Sequence, residues 1–357
     1  ILASTTESIF DYYNGVYNKS NKPNTYYYNN FKVIRLKYSL NLLNKVRCLK
    51  GLRNAINEEN PDIIYVHGFM LNLFEAIRYK SSYNCKIIYD SHADLSNSGN
   101  NWISLNLLHR VFYRFIIKFL YKKIDKIFYI TPEGGYFLNR FYKIPYKYMD
   151  LLPLGADTDY INGLKKQSSK SSIRTKYNIN KSDFVIFTGG KLNKIKKTSL
   201  VIELVNNLKN SSVHLFIIGK SFDEDYDSEL KNLANKNPRI HFTGWVGSNE
   251  IYKFMLISDV AIFPYSQSVL WQQCIVAGLP LIVGSGPGID ANYLNRNNNI
   301  FILNEKEINI DSIKKIVVKL INDNQLLKRI KKNTFEASKF LDYNKIADQS
   351  INFKKCE

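Results

Sequence analysis

The sequence predicts an α/β protein built from two doubly wound parallel-sheet domains. Three observations carry this. Short runs of apolar, β-branched and aromatic residues recur along the chain, each followed by a segment with apolar residues at helical spacing. The runs are apolar throughout rather than alternating, as strands covered on both faces require. The length of 357 residues accommodates two such domains, and the alternation restarts after a polar, Ser/Lys-rich stretch at 167–181.

In the first block, residues 1–5 (ILAST) read as the end of a strand, which places a first strand and helix upstream of Ile1, and a polar, turn-rich stretch follows to Asn30. Residues 31–36 (FKVIRL) predict a strand, and 41–58 carry apolar residues at helical spacing that stop before Pro61. Residues 62–66 (DIIYV) read as a buried strand ending at His67-Gly68, followed by a helix at 71–78. A strand at 86–89 (KIIY) leads into Asp90-Ser91-His92-Ala93-Asp94, and a long helical pattern covers 103–123. After a strand at 126–130, Thr131 and Pro132 supply an N-cap and a first-turn proline. Residues 150–154 then bring the chain to Gly155-Ala156-Asp157.

The second block has strands at 184–187, 214–218, 240–242, 260–263, 281–283 and 300–303. Helices are expected at 199–209, 228–235, 250–256 and 270–276, then over 312–340 and 343–353. Ligands of doubly wound sheets sit at the carboxyl ends of the strands, so the strand-end loops of the two domains are expected to face each other across a cleft.

Hydrophobic residues at 45% and aromatics at 14% exclude a globally disordered chain. A net charge of +19 favours an anionic partner: phosphate groups, nucleic acid or an acidic membrane surface. The chain is also rich in Lys, Asn, Ile and Tyr, as AT-rich coding produces, so charge supports a reading without carrying one. No nucleic-acid recognition motif or aromatic stacking surface is visible, and nucleic acid is not expected as a partner. Cys48, Cys85, Cys274 and Cys356 are far apart with no C-x-x-C pair, which argues against a disulfide framework or a cysteine-ligated zinc site and fits a reducing cytoplasm. No apolar run reaches the length of a membrane span.

The stretch 184–197 (FVIFTGGKLNKIKK) joins a buried strand, Gly189-Gly190, four lysines and a helix start. Glycines let the backbone turn tightly, and cations beside a helix N-terminus suit an anion, most simply a diphosphate. The spacing is not that of a Walker loop. Residues 266–273 (SQSVLWQQ) lie between a strand and a helix; Ser266 and Ser268 suit N-capping or a phosphate, and Gln273 suits a ribose diol. Three glycines within 284–288 (GSGPG) suggest close approach of the backbone to a ligand. His67 reads as a loop-capping histidine, whereas His92, between Asp90 and Asp94, reads as a contact or base for a sugar hydroxyl. Asp90, His92 and Asp94 offer metal-ligand types, but no partner cluster is visible, and no metal is expected. The hydrolase elbow G-x-S-x-G is absent. From Asn106 to Lys123 (NLLHRVFYRFIIKFLYKK) a basic, aromatic, amphipathic helix suits both a sheet and an anionic membrane surface.

Taken in order, these loops resemble the family 4 glycosyltransferases, whose GT-B architecture is two facing Rossmann-like domains. Leu152-Pro153-Leu154-Gly155-Ala156-Asp157 is similar to the family's inter-domain P-x-G-x-D segment. Gly190-Lys191-Leu192 with Lys196 is similar to its G-R-L…K motif, Lys191 replacing Arg. Ile217-Ile218-Gly219 and Phe242-Thr243-Gly244-Trp245-Val246 match its next strand ends. Pro264 through Pro280 matches its E-x7-E region, ending in Ala277-Gly278-Leu279-Pro280, and 340–347 (FLDYNKIA) matches its crossover to a C-terminal helix. Both family glutamates are replaced: Gln273 stands at the second, Tyr265 (or Ser266 to Ser268) at the first.

The resemblance implies an acceptor-side domain at 1–153, a nucleotide-sugar domain at 154–340 and a helix at 341–357 crossing back. It places the family's first strand and glycine-rich loop upstream of Ile1. It implies a nucleotide-sugar co-substrate with its diphosphate on Gly189, Gly190, Lys191 and Lys196, its base near Trp245 and Val246, and its ribose at Gln273, with Ser266 and Ser268 beside it. His92 matches the family's histidine at the transferred sugar. The expected reaction is retaining, metal-free hexosyl transfer to a glycan or lipid-linked acceptor. It belongs with cell-surface polysaccharide or lipopolysaccharide biosynthesis, in the cytoplasm or peripheral on the inner membrane face. The alternative, favoured by the missing glutamates, is a non-catalytic nucleotide- or glycan-binding module.

Overall fold

The computed structural model describes residues 1–5, 22–42, 45–68, 71–95, 97–98, 101–166, 169–208 and 212–353. The chain divides into two compact units, Ile1–Leu152 with Gln349–Glu357, and Pro153–Asp348.

The first unit opens with β1 (Leu2–Ser4), β2 (Asn24–Tyr28) and β3 (Phe31–Leu36), in the order β1-β3-β2. β1 runs parallel to β3 and β2 antiparallel to it. The polar stretch expected to reach Asn30 unbroken instead ends in a strand. Asn29 and Asn30 adopt positive φ (44° and 68°) and close a two-residue hairpin, with Tyr28 opposite Phe31. All five residues of β2 are exposed, so no buried face marks it in the sequence. Residues 6–21 of that stretch lie outside the described residues.

A second correction falls on 41–58, expected as one helix. It holds most of a hairpin, β4 (Tyr38–Leu42) and β5 (Val46–Leu49), and then α1 (Leu52–Glu59). Tertiary hydrogen bonds override the helical spacing. The Tyr113 hydroxyl donates to the Lys45 carbonyl at 2.6 Å, and the Leu49 amide donates to Asn72 Oδ1 at 2.8 Å. Gly51, at φ 78°, re-aims the chain into α1.

The remaining elements are β6 (Ile63–His67), α2 (Leu73–Ser82), β7 (Lys86–Ser91), a π-wound segment (Ser104–Tyr113) running directly into α3 (Arg114–Leu120), β8 (Lys126–Tyr129), α4 (Pro132–Tyr142) and β9 (Met149–Leu151). The Thr131 cap forms as expected, its hydroxyl accepting from the Gly134 amide at 3.1 Å. β6-β7-β8-β9 make a parallel sheet. Ile87, Tyr89, Ile117 and Phe137 are buried in its core.

The second unit begins with α5 (Thr158–Lys166) and α6 (Ser169–Lys176), so the polar stretch at 167–181 contains a helix. Then come β10 (Phe184–Gly189), α7 (Thr198–Asn207), β11 (Val213–Ile218), α8 (Glu224–Ala234), β12 (Ile240–Gly244) and α9 (Ile251–Ile257). β13 (Val260–Phe263), α10 (Leu270–Ala277), β14 (Leu281–Gly284) and β15 (Ile300–Leu303) complete the sheet. Its order is β12-β11-β10-β13-β14-β15, parallel throughout. That is the doubly wound 3-2-1-4-5-6 order, and it puts the switch point between β10 and β13.

β10 shows why the strands read as unbroken apolar runs. Val185 and Phe187 pack into one core, Phe184 and Ile186 into another on the opposite face. The stretch 312–340 forms two helices, α11 (Ile310–Asn322) and α12 (Asn324–Ser338). Asp323 separates them and caps the second, accepting from the Leu326 amide at 2.8 Å.

The segment at 152–157 packs on the start of the last helix, α13 (Tyr343–Ile351). The Ala156 amide donates to the Leu341 carbonyl at 3.0 Å, and a Cβ on Gly155 would fall 2.5 Å from that same oxygen. Residues 349–353 return to the first unit, where Phe353 packs edge-on against Phe128 and Ser350 hydrogen-bonds Tyr65.

Candidate functional site

In the second unit, three adjacent strands end in glycines with positive φ. Gly190, Gly219 and Gly244 follow or close β10, β11 and β12 with φ of 105°, 126° and 70°. The Gly190 amide donates to the Ile218 carbonyl and the Gly219 amide to the Gly244 carbonyl, both at 2.8 Å. A Cβ on Gly189 would meet the Ile218 carbonyl oxygen at 2.4 Å. Gly189 is therefore demanded by the packing of two strand ends and Gly190 by its positive φ, and together they leave the turn with no side chain to cover it.

Lysines surround this turn but fare differently. Asn193 accepts from the Lys196 amide at 3.1 Å and folds the loop into a single 3₁₀ turn, Lys194–Lys196. That turn brings Lys196 inward. A methyl on Gly190 would lie 3.5 Å from the Lys196 ammonium nitrogen and 4.0 Å from the Ser268 hydroxyl. Burial, and next the charge of Lys191, hold the Lys196 pKa below its ordinary value. Lys191 is exposed, its ammonium over the Phe222 ring at 5.2 Å. Among the described residues neither cation has a carboxylate within ion-pair distance. Lys194, by contrast, pairs with Glu229 at 3.4 Å, and Lys197 lies over the Tyr265 ring at 5.2 Å.

The loop from β13 into α10 supplies the other wall. Ser266 is buried, and Ser268 accepts from the Leu270 amide at 3.2 Å. Between them, Gln267 has both amide heavy atoms buried without a hydrogen-bond partner. The motif reading passed over Gln267; no pattern in the sequence marks an amide that folding leaves unpaired. Gln273 is partly exposed and shares a hydrogen bond with Tyr252, while its neighbour Gln272 is buried against the Tyr293 hydroxyl at 2.9 Å. Trp245 and Val246 follow Gly244, both half-buried, with Val246 packed on the core.

The glycines of 284–288 have a different reason from the one expected. A Cβ on Gly284 would strike the Pro264 carbonyl oxygen at 1.9 Å, and one on Gly286 would strike the Tyr265 ring at 2.8 Å. Their close approach is to this chain itself.

In the first unit, His92 stands just past β7 and lines a cavity of about 310 Å³ with Lys45, Asn97, Ser98 and His109. Its carboxylate partner is Asp90, with Nε2 3.3 Å from Oδ2. Asp94 faces elsewhere and accepts from the Asn97 amide at 2.9 Å. His67, expected only to cap a loop, shares Asp90: its Nδ1 lies 2.8 and 2.9 Å from the two carboxylate oxygens. This pair raises the His67 pKa and lowers that of Asp90 despite its burial.

The helix that begins in the π-wound segment presents an apolar face to the exterior. Trp102, Leu107, Val111, Phe115 and Phe119 are all exposed, the tryptophan 70% and Phe115 67%. The rings of Phe115 and Phe119 meet edge-on at 5.2 Å. A cavity of about 450 Å³ on one flank is lined by Arg110, Arg114 and Lys118; one of about 700 Å³ on the other includes Arg78, Lys80 and Lys123. No helix among the described residues is long and apolar enough to cross a membrane.

Comparison with known proteins agrees with this architecture. Residues 16–160 match the model described as Glycosyltransferase Family 4, and 169–337 the model described as Glycosyl transferases group 1. A search of curated protein sequences gave no match. Among solved structures, Anabaena HepE in complex with UDP and glucose is 17% identical, with a TM-score of 0.64 over 89% of this chain and 84% of that one. A Rickettsia africae glycosyltransferase is 15% identical (TM-score 0.65; 84% and 78% covered). WaaG, a glycosyltransferase involved in lipopolysaccharide biosynthesis, is also 15% identical (TM-score 0.56; 84% and 93% covered). The two units, matched by two glycosyltransferase family models and sharing the fold of these solved glycosyltransferases, have the GT-B architecture. The chain belongs to the family 4 glycosyltransferases.

Proposed function

We propose that the chain transfers a hexosyl group from a nucleotide sugar to a glycan or lipid-linked acceptor with retention of configuration. One observation carries the donor assignment. Lys196, half-buried and without a carboxylate partner among the described residues, points its ammonium at the bare Gly189-Gly190 turn beside the switch point. Ligands gather at such points. The donor diphosphate binds Gly190, Lys191 and Lys196; Ser266, Gln267 and Ser268 offer it hydroxyls and an amide; the base rests near Trp245 and Val246 and the ribose near Gln273.

In the reaction, the bond between the anomeric carbon and the diphosphate oxygen breaks. The acceptor oxygen bonds to that carbon on the same face, and its proton passes to the departing phosphate oxygen. Lys191 and Lys196 stabilise the charge gathering on the diphosphate, work that a metal performs in other phosphate sites, so no resident metal is invoked. His92 hydrogen-bonds a hydroxyl of the transferred sugar. The exposed apolar face from Trp102 to Phe119, flanked by arginines and lysines, rests on an anionic membrane surface, which suits a lipid-linked acceptor of a surface polysaccharide or lipopolysaccharide.

A second reading is a binding module without turnover. Gln273 supplies no charge at the family's glutamate position and already shares a hydrogen bond with Tyr252. Calorimetry with a panel of nucleoside diphosphates, paired with a sugar-transfer assay, separates the two. Binding with transfer supports the enzyme, binding without transfer supports the module, and no binding overturns the donor site.

A further inference from the structure

We propose that His67, Asp90 and His92 form a binding site for a divalent first-row transition ion of the zinc class, and that the ion holds the sugar-transfer reaction off. The strand register creates the cluster. His67 and Asp90 are direct partners across the parallel β6–β7 ladder, so their side chains emerge side by side on one face. His92 is two residues beyond Asp90, and the period of two returns it to that face. The three candidate ligand atoms all lie within 4.8 Å of one another.

The chemistry fits a borderline ion rather than a hard one. Two imidazole nitrogens and one carboxylate oxygen suit zinc, cobalt or ferrous ions; magnesium and calcium demand oxygen shells. Zinc sits about 2.0–2.2 Å from such ligands, which places tetrahedral donors roughly 3.4 Å apart. The His92–Asp90 separation of 3.3 Å already meets that spacing. The carboxylate is fixed: Asp90 is 5% exposed, and its carbonyl accepts from the Gly68 amide at 3.0 Å. Both imidazoles are exposed, and His67, whose Nδ1 lies 2.8 Å from Asp90 Oδ1, would turn outward to open that spacing. Three protein ligands leave the fourth tetrahedral position to water or another small ligand.

An ion there takes His92 Nε2, the nitrogen now beside Asp90, and locks the ring away from the transferred sugar. This regulatory consequence rests on the role proposed above for His92; binding of the ion does not.

Cobalt(II) titration of the full chain provides the test, because its visible absorption reports nitrogen and oxygen ligation without any need for activity. Saturable tetrahedral bands are expected, displaced by zinc and lost in both His67→Ala and His92→Ala, with circular dichroism checking that each variant is folded. Absence of the bands in the unaltered chain, or their survival in both variants, overturns the site. In a transfer assay, zinc is expected to slow the unaltered chain and to lose that effect in His67→Ala, each compared with its own zinc-free rate. Equal zinc sensitivity of the two overturns the regulatory role. A chain that turns over no nucleotide sugar fails the proposed function alone, and the cobalt spectrum still decides the site.

Discussion

Gly219 stands so close to Gly190 that a Cβ on Gly219 would fall 2.0 Å from the Gly190 carbonyl oxygen. Two neighbouring strand ends thus meet backbone to backbone at the turn assigned to the donor diphosphate. Gly219 also holds φ at 126°, a conformation L side chains rarely adopt. Gly219→Ala is expected to cost about 2–4 kcal/mol, combining clash and backbone strain, and to weaken nucleotide binding by displacing Gly190. Denaturant melts and calorimetry on one sample check both effects; a variant as stable as the parent would refute the packing argument.

Lys196 and Gln267 make a different prediction, because among the described residues Lys196 has no carboxylate partner and the Gln267 amide has no hydrogen-bond partner. The folded-state pKa of Lys196 is lowered, so its charge opposes folding at every pH below that value, and the cost fades as pH rises toward the unfolded value of 10.5. Lys196→Met is therefore expected to stabilise the second unit at neutral pH by about 0.5–2 kcal/mol. The same change is expected to slow transfer about a hundredfold, on the order of 3 kcal/mol of transition-state stabilisation. Gln267→Leu follows the same pattern with a smaller loss in donor affinity. Melting temperature against turnover is the comparison to make; a fall in both would assign the residues to structure alone.

His109 sets an acid limit for the first unit. The Tyr142 hydroxyl donates to its Nδ1 at 2.7 Å, and its Nε2–H donates to the Ser98 carbonyl at 3.1 Å. Those bonds hold the neutral ring, and burial pushes its pKa down from 6.5 to about 4. Below the unfolded value the unfolded chain binds a proton that the folded chain refuses. Stability therefore falls as pH drops through 6.5 and levels off below about 4. Melts between pH 7.5 and 4 are expected to show this slope, and His109→Gln to flatten it. An unchanged slope in the variant would assign the acid sensitivity elsewhere.

The exposed rings of Phe115 and Phe119 predict membrane adsorption that depends on lipid charge. Phe115→Ser with Phe119→Ser is expected to remove about 2 kcal/mol per ring buried in the interface, more than tenfold in vesicle partitioning for each. Arg114→Gln with Lys118→Gln is expected to abolish the preference for phosphatidylglycerol over phosphatidylcholine vesicles. Flotation assays read both, and equal partitioning of all forms would sink the membrane assignment.

The second unit was the legible half. Its strands are buried on both faces, so their apolar runs stand out, and the glycines and lysines after β10 lie where a doubly wound order puts a ligand. The hairpins of the first unit were not legible. β2 buries nothing, and β4–β5 owes its extended form to Tyr113 and Asn72, distant in sequence. Motif spacing drew attention to Ser266, Ser268 and His92, passed over Gln267 and took His67 for a loop cap. What singles out those two is a vacant hydrogen-bond shell and a cross-strand neighbour, both properties of the folded chain. The glycines of 284–288 show the converse: composition announced a close approach without saying that Pro264 and Tyr265 were the objects approached.

Phe353 packs on Phe128 and Ser350 bonds Tyr65, so the first unit contains residues separated from the rest of it by all of Pro153–Asp348. During synthesis the ribosome delivers the first unit's sheet early but withholds its last contacts until the second unit has been made. The nascent first unit must wait, incompletely sealed, while its neighbour folds. Chaperone engagement during translation is therefore expected to persist on the first unit after its own strands have emerged, and to end only once residues 349–353 have emerged too.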